Sequence, residues 1–422
     1  MSTADSEIAR RIVIYGTFDV FNYGDLLFPL IARERLKPHG VEVVPVSPTA
    51  AAVTLADAMR PLAVDEALGS TAAWNGAMIG GGNIVHCEAT GLAAYKAANV
   101  DASAYAGLWI GATLDAVLRD VPVVWNAPGV MRKFDPERSG PLVSAVVDAA
   151  DYVSVRDSYS RDCLPPELEA PVEISPDTAL GLPRLWPRDE LHRVARMAVA
   201  RSGGSPDAGL LALHVKSRSL GDMSIEALAR KVDEIARRRD ELVVLLALGP
   251  CHGDDVFARS LSGHLTVPHV VFDQPRSLQE IAAMIAASRL YLGASLHGYI
   301  TALAYGVPAR LVTVPRLGKF NGFLSQVGRL EDACGNWAEA CERTESGEVS
   351  PVAPADTLDR LEAHWDRVAA ALNRSHPPRH ARDRLLRYAA RQMMKRSTWD
   401  EMFQAIAGSV ARERPTAVQS GA

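Results

Sequence analysis

Short apolar runs that stop at polar or glycine-rich turns recur along the chain, and stretches of helical periodicity lie between them. Ile12–Tyr15 is the first such run, followed by the turn region Gly16–Gly24 and a helix-like stretch from Asp25 to Lys37. Glu42–Val46, Ala77–Ile79, Val121–Trp125, Tyr152–Val155 and Glu173–Ile174 predict further strands. A second series opens at Gly209–Lys216 and continues through Leu242–Leu248, His269–Phe272, Arg289–Leu292 and Arg310–Val314, with helices near 224–238 and 277–287. Apolar strands alternating with helices predict an α/β fold with mainly parallel sheets. The polar stretch Arg201–Ala208 reads as a linker, so two Rossmann-like domains are expected, over 1–200 and 209–345. In such sheets the turns at the strand carboxyl ends line the binding crevice, which puts the expected site in a cleft between the domains. A second linker, Glu345–Asp356, leads to helices near 357–373 and 381–407, a helical basic tail over 356–408.

Composition narrows the class. The 422 residues carry a net charge of −5 and an isoelectric point near 6.1, so no nucleic-acid partner is expected. The five cysteines are scattered and form no CxxC pair, which argues against a disulfide framework or a structural zinc site and fits a cytoplasmic setting. The first residues lack the apolar core of a signal peptide. Every apolar run is far shorter than the ~20 residues a membrane span needs.

Several turns carry residues with chemistry. His297 follows the strand Arg289–Leu292 at a strand–turn–helix junction, where it is either a catalytic group or a helix-start histidine. Arg156 ends a strand, free to clamp an anion or tied to Asp157 or Asp162. Gly80-Gly81-Gly82-Asn83 permits close backbone approach to a ligand, or is a plain turn; it is neither a dinucleotide fingerprint nor a P-loop. Asp25 suits a first-turn helix carboxylate as well as a ligand for a hydroxyl. No His, Asp and Glu cluster has metal-ligand spacing, so no metal is expected.

Five motifs, in order, resemble the polysaccharide pyruvyl transferase family: Asn22-Tyr-Gly-Asp25, Gly80-Gly-Gly-Asn83, Ser154-Val-Arg-Asp157, Pro176-Asp-Thr-Ala-Leu180, and Leu296-His-Gly298 followed by Ala302–Pro308. The resemblance covers roughly residues 12–320. It implies a GT-B-like pair of domains and transfer of a pyruvyl group from phosphoenolpyruvate to a sugar as a cyclic ketal, with no further cofactor. In that reaction His297 is expected as general base on the acceptor hydroxyl. Arg156, Gly80, Gly81, Gly82, Asn83, Ser295, Arg316 and Lys319 are expected on the donor, and Asn22 and Asp25 on the acceptor. The family pattern often has arginine where this chain has Ser295, so another cation must help neutralise the phosphate. Arg316, Lys319, Lys216 and Arg218 are the candidates.

The tail adds a second theme. Arg374–Arg396 holds eight Lys and Arg against Asp383 alone, a local charge of 8 − 1 = +7. Arg384, Arg387, Arg391 and Lys395 share one helical stripe, opposite Leu385, Leu386, Ala389 and Met393. This helix either docks on the protein or meets an anionic membrane, as a lipid-linked acceptor would favour. Two other functions stay open. One is a GT-B glycosyltransferase using a nucleotide sugar, with Glu280 and Asp273 as ribose ligands. The other is a non-catalytic sugar-binding relative.

Overall fold

The computed structural model describes residues 10–344, 353–374 and 379–396. In the first domain, β1 (Arg10–Tyr15), β2 (Val41–Ser47), β3 (Leu62–Ala63), β4 (Ala77–Ile79) and β5 (Val123–Trp125) form a parallel sheet in the order β3-β2-β1-β4-β5. The pair β6 (Val153–Val155) and β7 (Val172–Ile174) extends it through a bridge between Val124 and Tyr152. In the second domain, β8 (Gly209–His214), β9 (Glu241–Leu246), β10 (His269–Phe272), β11 (Leu290–Gly293), β12 (Ala309–Val312) and β13 (Ala333–Cys334) lie in the order β10-β9-β8-β11-β12-β13, again all parallel. Ile12, Val13, Ile14 and Tyr15 are all buried, as a strand covered by helices on both faces requires. The strands β3 and β13 had no sequence signal, because each is two residues long.

Each sheet reverses its strand order once, between β1 and β4 and between β8 and β11. The carboxyl ends at these reversals are where open α/β sheets leave a crevice. Here the two crevices face each other. Nine helices position the site or join the domains: α1 (Tyr23–Leu36), α2 (Gly140–Asp148), α3 (Ser158–Cys163), α4 (Arg188–Arg201), α5 (Leu278–Ala286), α6 (Leu296–Ala304), α7 (Gly318–Gln326), α8 (Ala355–Leu372) and α9 (Arg379–Arg396).

The chain crosses between domains earlier and later than the linkers suggest. α4 packs on α5 of the second domain, where Arg201 donates two hydrogen bonds to Glu280 at 2.7 and 2.6 Å. α8 then returns to the first domain, and its buried His364 lies between Tyr152 at 3.0 Å and Asn126 at 2.9 Å. α9 packs on α2, with Leu385 fully buried and Arg382 donating to the buried Asp151 at 2.8 Å. The expected tail is therefore built into the first domain as far as this helix goes; 397–408 lie outside the described residues. Of the predicted cationic stripe, Arg384 is already committed to Asp148 at 3.0 Å and to Glu169. The predicted apolar face is covered only in part: Leu386 and Ala389 are half-buried and Met393 is exposed.

One apolar core runs through both domains, from Leu26, Leu27 and Phe28 on α1 to Tyr299, Ile300 and Leu303 on α6. Polar ties reinforce it. The Tyr23 and Thr301 hydroxyls meet at 3.0 Å, and Asp57 accepts from the Leu278 and Gln279 N–H groups at the start of α5 at 2.7 and 2.9 Å. All five cysteines are free thiols.

Candidate active site

His297 sits in the first turn of α6, directly after the Gly293–Ser295 turn that ends β11. Ser295 caps that helix, its Oγ accepting from the Gly298 N–H at 3.4 Å. The hydroxyl is thereby engaged in holding the turn that aims the imidazole. The opposite domain comes very close: a Cβ on Gly24 would lie 1.8 Å from His297 Nδ1, so only glycine fits at that point of α1. The Phe28 ring meets the imidazole edge-on at 5.4 Å between centroids.

The other ring nitrogen, Nε2, faces Asp177 Oδ2 at 3.5 Å. Asp177 is 1% exposed and lies just after β7, where its carboxylate caps a short turn by accepting from the Ala179 N–H at 3.1 Å. Burial alone would raise this carboxyl. His297, Arg156 and the Ala179 N–H outweigh that and hold it below its ordinary range. The anionic Asp177 faces Nε2 and, with Gly24 against Nδ1, fixes how the imidazole is presented to the cavity. On sequence grounds Asp177 stands out only as part of a motif. Its partner is in the other domain, so no local spacing could have shown the pairing.

Arg156 is also buried, at 1% exposed. Its Nε lies 3.4 Å from Asp157 Oδ2, its Nη1 lies 3.9 Å from Asp177 Oδ2, and its Nη2 donates to Asn83 Oδ1 at 3.2 Å. The ion pair with Asp157 and a place in the site, posed as alternatives on sequence grounds, hold together. Asp25 accepts from the Thr17 hydroxyl at 2.8 Å and from Asn22 Nδ2 at 2.9 Å, both on the same oxygen.

These groups surround a cavity of about 530 Å³ between the two sets of strand carboxyl ends. Asn22, Asp25, Asn83 and Arg156 line it from the first domain, and Ser295, His297, Arg316 and Lys319 from the second. Gly80, Gly81 and Gly82 do not; they stand behind the wall as close-packing positions. Gly82 has φ +87°, and a Cβ there would lie 2.9 Å from Asp25 Oδ1, while one on Gly81 would strike the Phe28 ring at 2.2 Å. The triple glycine thus lets α1 approach β4 and sets Asp25 in the cavity.

Six cations line the cavity, Arg132, Arg156, Lys216, Arg218, Arg316 and Lys319, against one acid, Asp25. Arg132 pairs with Glu88 and Arg156 with Asp157 and Asp177. The other four make no salt bridge among the described residues. Burial, together with repulsion from Arg156, Lys216 and Arg218, brings the Lys319 ammonium down to about 7. Burial lowers Lys216 as well, with Arg218 adding repulsion and Asp254 partly compensating. Unpaired cations held this close are a site for an anion.

The profile of the polysaccharide pyruvyl transferase family matches residues 22–314. The chain belongs to that family. It is a transferase by family, and the matched span contains Asn22, Asp25, Asn83, Arg156, Asp177 and His297 but ends before Arg316 and Lys319. No curated protein matches the sequence. Among solved structures, the chain is similar to the UDP-GlcNAc 2-epimerase of Methanocaldococcus jannaschii, at 12% identity and a TM-score of 0.51 over 83% of this chain and 98% of that one. It is also similar to a putative UDP-N-acetylglucosamine 2-epimerase of Listeria monocytogenes, at 14% identity and a TM-score of 0.49 over 92% and 96%. A glycosyltransferase of Rickettsia africae aligns at 8% identity and a TM-score of 0.46 over 92% and 98%. The Methanocaldococcus likeness concerns the fold, which is the GT-B-like pairing expected for this family.

Because Gly24 seats the imidazole, Gly24→Ala is expected to lower turnover by about 100-fold or more through displacement of His297. Gly91→Ala, where a Cβ meets nothing within 4 Å, should leave turnover unchanged. Steady-state rates of the two variants check this, and equal rates would remove the steric argument.

Proposed function

We propose that this chain transfers a pyruvyl group from phosphoenolpyruvate to two hydroxyls of a saccharide, closing a cyclic ketal and releasing inorganic phosphate. The observation that carries this reading is the convergence of Lys216, Arg218, Arg316 and Lys319, none in a salt bridge among the described residues, on the cavity that holds the His297–Asp177 pair. Phosphoenolpyruvate brings a carboxylate and a phosphate, and such a cavity supplies a cation for each. With Ser295 capping α6, the phosphate charge falls to Lys319 and Arg316 on the loop before and at the start of α7.

His297 takes the proton from the first hydroxyl as its oxygen attacks the central carbon of the donor, and the methylene carbon gains a proton to become a methyl group. With the first hydroxyl thus added across the double bond, the bond from the central carbon to the phosphate oxygen breaks. The second hydroxyl adds to the carbon, and its proton is balanced on the departing phosphate. Asn22 and Asp25 hold acceptor hydroxyls, with Thr17 and Asn22 fixing the Asp25 carboxylate. No step calls on a metal or a further cofactor.

The nucleotide-sugar reading lacks its ribose ligands. Glu280 is clamped by Arg201, and Asp273 accepts from Arg259 at 2.6 Å; neither lines the cavity. The sugar-binding reading gives no purpose to a buried carboxylate behind the histidine.

The acceptor is proposed to be a polysaccharide precursor carried on lipid at the cytoplasmic face of a membrane. Supporting this, the last two turns of α9 leave Met393 and Met394 exposed beside Arg391 and Lys395, while the first turns dock on α2. No helix among the described residues is long and apolar enough to cross a membrane.

Incubation with phosphoenolpyruvate and a panel of saccharides should release phosphate and add the mass of one pyruvyl unit, with both lost in His297→Ala. Consumption of nucleotide sugars alone, or full activity in His297→Ala, would overturn the assignment. Lys319 binds an anion only as the ammonium, which is lost as pH rises through about 7. The KM for phosphoenolpyruvate should therefore climb above that pH in the wild type and stay level in Lys319→Arg. A wild-type KM that is flat across neutrality removes Lys319 from the donor site. Changing Arg387, Arg391 and Lys395 to glutamine should weaken co-sedimentation with phosphatidylglycerol vesicles severalfold. Unchanged sedimentation would discard the membrane contact.

A further inference from the structure

We infer that Tyr105 is the stacking platform for the acceptor's pyranose ring, and that the end of the cavity bounded by Tyr105, Asp25, Lys216 and His252 is the acceptor subsite. This rests on the pyruvyl-transfer reading and names the part of the cavity that reading leaves open.

The cavity has two chemically different ends. At one end Arg156 and Asn83 face the loop that carries Lys319, and that end is closed by Tyr159. A Cβ on Gly318 would lie 2.5 Å from the Tyr159 ring, so the loop rests directly on it. At the other end a small apolar cluster, Val20, Tyr95 and Ala104 with Tyr105, joins Cys251 of the second domain. Tyr105 therefore lines the cavity beside the segment that carries Cys251 and His252, and Lys216 lies within electrostatic reach of His252.

Tyr105 is built as a platform. Its ring lies 4.0 Å from that of His86 at an interplanar angle of 37°, so one aromatic face is backed by a second ring. His86 is 3% exposed and is itself held: Nδ1 accepts from the Glu88 N–H at 3.2 Å, and the His86 carbonyl accepts from Trp109 Nε1 at 3.0 Å. Burial lowers the His86 imidazole to about 4, so it stays neutral. Burial also raises the Tyr105 phenol to about 12, so it too carries no charge. The helix bearing Tyr105 widens into a π-turn at Gly107–Gly111, the kind of irregularity that re-aims side chains at functional sites.

A flat, uncharged, rigidly backed ring has little to offer a small trianion, yet the cavity presents one amid cations. A pyranose uses it well. Its C–H face packs on the aromatic plane, while its hydroxyls reach the Asp25 carboxylate and the Lys216 and His252 side chains. Asp25 acts electrostatically on both Tyr105 and Lys319, which puts its carboxylate where the acceptor end meets the donor end.

The test is direct binding without turnover. Saturation-transfer NMR of the full chain with methyl β-galactopyranoside, methyl β-glucopyranoside and methyl α-mannopyranoside should give ring C–H signals with at least one glycoside. Tyr105→Phe should keep the signal, whereas Tyr105→Ala and Tyr105→Leu should weaken binding by about tenfold, the leucine variant retaining bulk without a flat face. Affinity for phosphoenolpyruvate, measured by calorimetry, should be the same in all four proteins. The proposal is overturned if no glycoside binds the wild type, if Tyr105→Leu binds as the wild type does, or if donor affinity falls in parallel. It is equally overturned if uridine monophosphate, rather than a glycoside, is what the tyrosine holds. Glycoside binding that survives with no phosphate release would instead count against the pyruvyl-transfer reading alone.

Discussion

The buried carboxylate of Asp177 is the contact on which the rest of the site depends. It comes from the first domain, yet it faces an imidazole presented by the second and an arginine that follows the preceding strand. A charge this deeply buried persists only if its partners are held in place. The surrounding structure does so with missing side chains. Gly24 makes room for His297, and Gly129 makes room for Arg156, where a Cβ would lie 2.5 Å from Nη2. Two domains that merely touched could not meet that tolerance. The continuous apolar core between α1 and α6 and the bond between Tyr23 and Thr301 hold them in register.

Around that anion the cations divide into two kinds. Arg156 is compensated and hydrogen-bonded, so its geometry is set before any ligand arrives. Lys216, Arg218, Arg316 and Lys319 form no salt bridge among the described residues, and burial with repulsion from Arg156, Lys216 and Arg218 depresses the Lys319 ammonium in the free protein. An incoming anion relieves that repulsion. Binding is thus favoured where charge is unpaired and orientation is set where charge is paired.

The C-terminal helices serve the same geometry from the outside. α8 crosses back to cover β5, and α9 is bolted to the first domain by Arg382 on Asp151 and by the buried Leu385. What looked like a free cationic ridge is half consumed by these contacts. Arg384 in particular is tied to Asp148 and Glu169, while Arg387, Arg391, Lys395 and the two methionines of the last turns stay exposed.

The sequence by itself determined most of the strands, the two wound sheets and many of the cavity's polar groups, because apolar periodicity and turn chemistry are local properties of the chain. His297, Arg156, Asn83, Asn22 and Asp25 could be singled out for the same reason: each follows a strand, and strands end at the crevice. The triple glycine was visible too, but its use was not; packing against Asp25 and Phe28 depends on a helix that approaches from elsewhere. Only tertiary structure decided that Asp177 stands behind His297, that Arg156 is paired while Lys319 is not, and that α4 belongs to the second domain. It also decided that Tyr105, in a stretch with no distinguishing pattern, turns a ring into the cavity. Apart from the Arg156–Asp157 pair, these depend on contacts between separate segments of the chain. Their pairing is set by how two sheets face one another, and no spacing along the sequence encodes that distance.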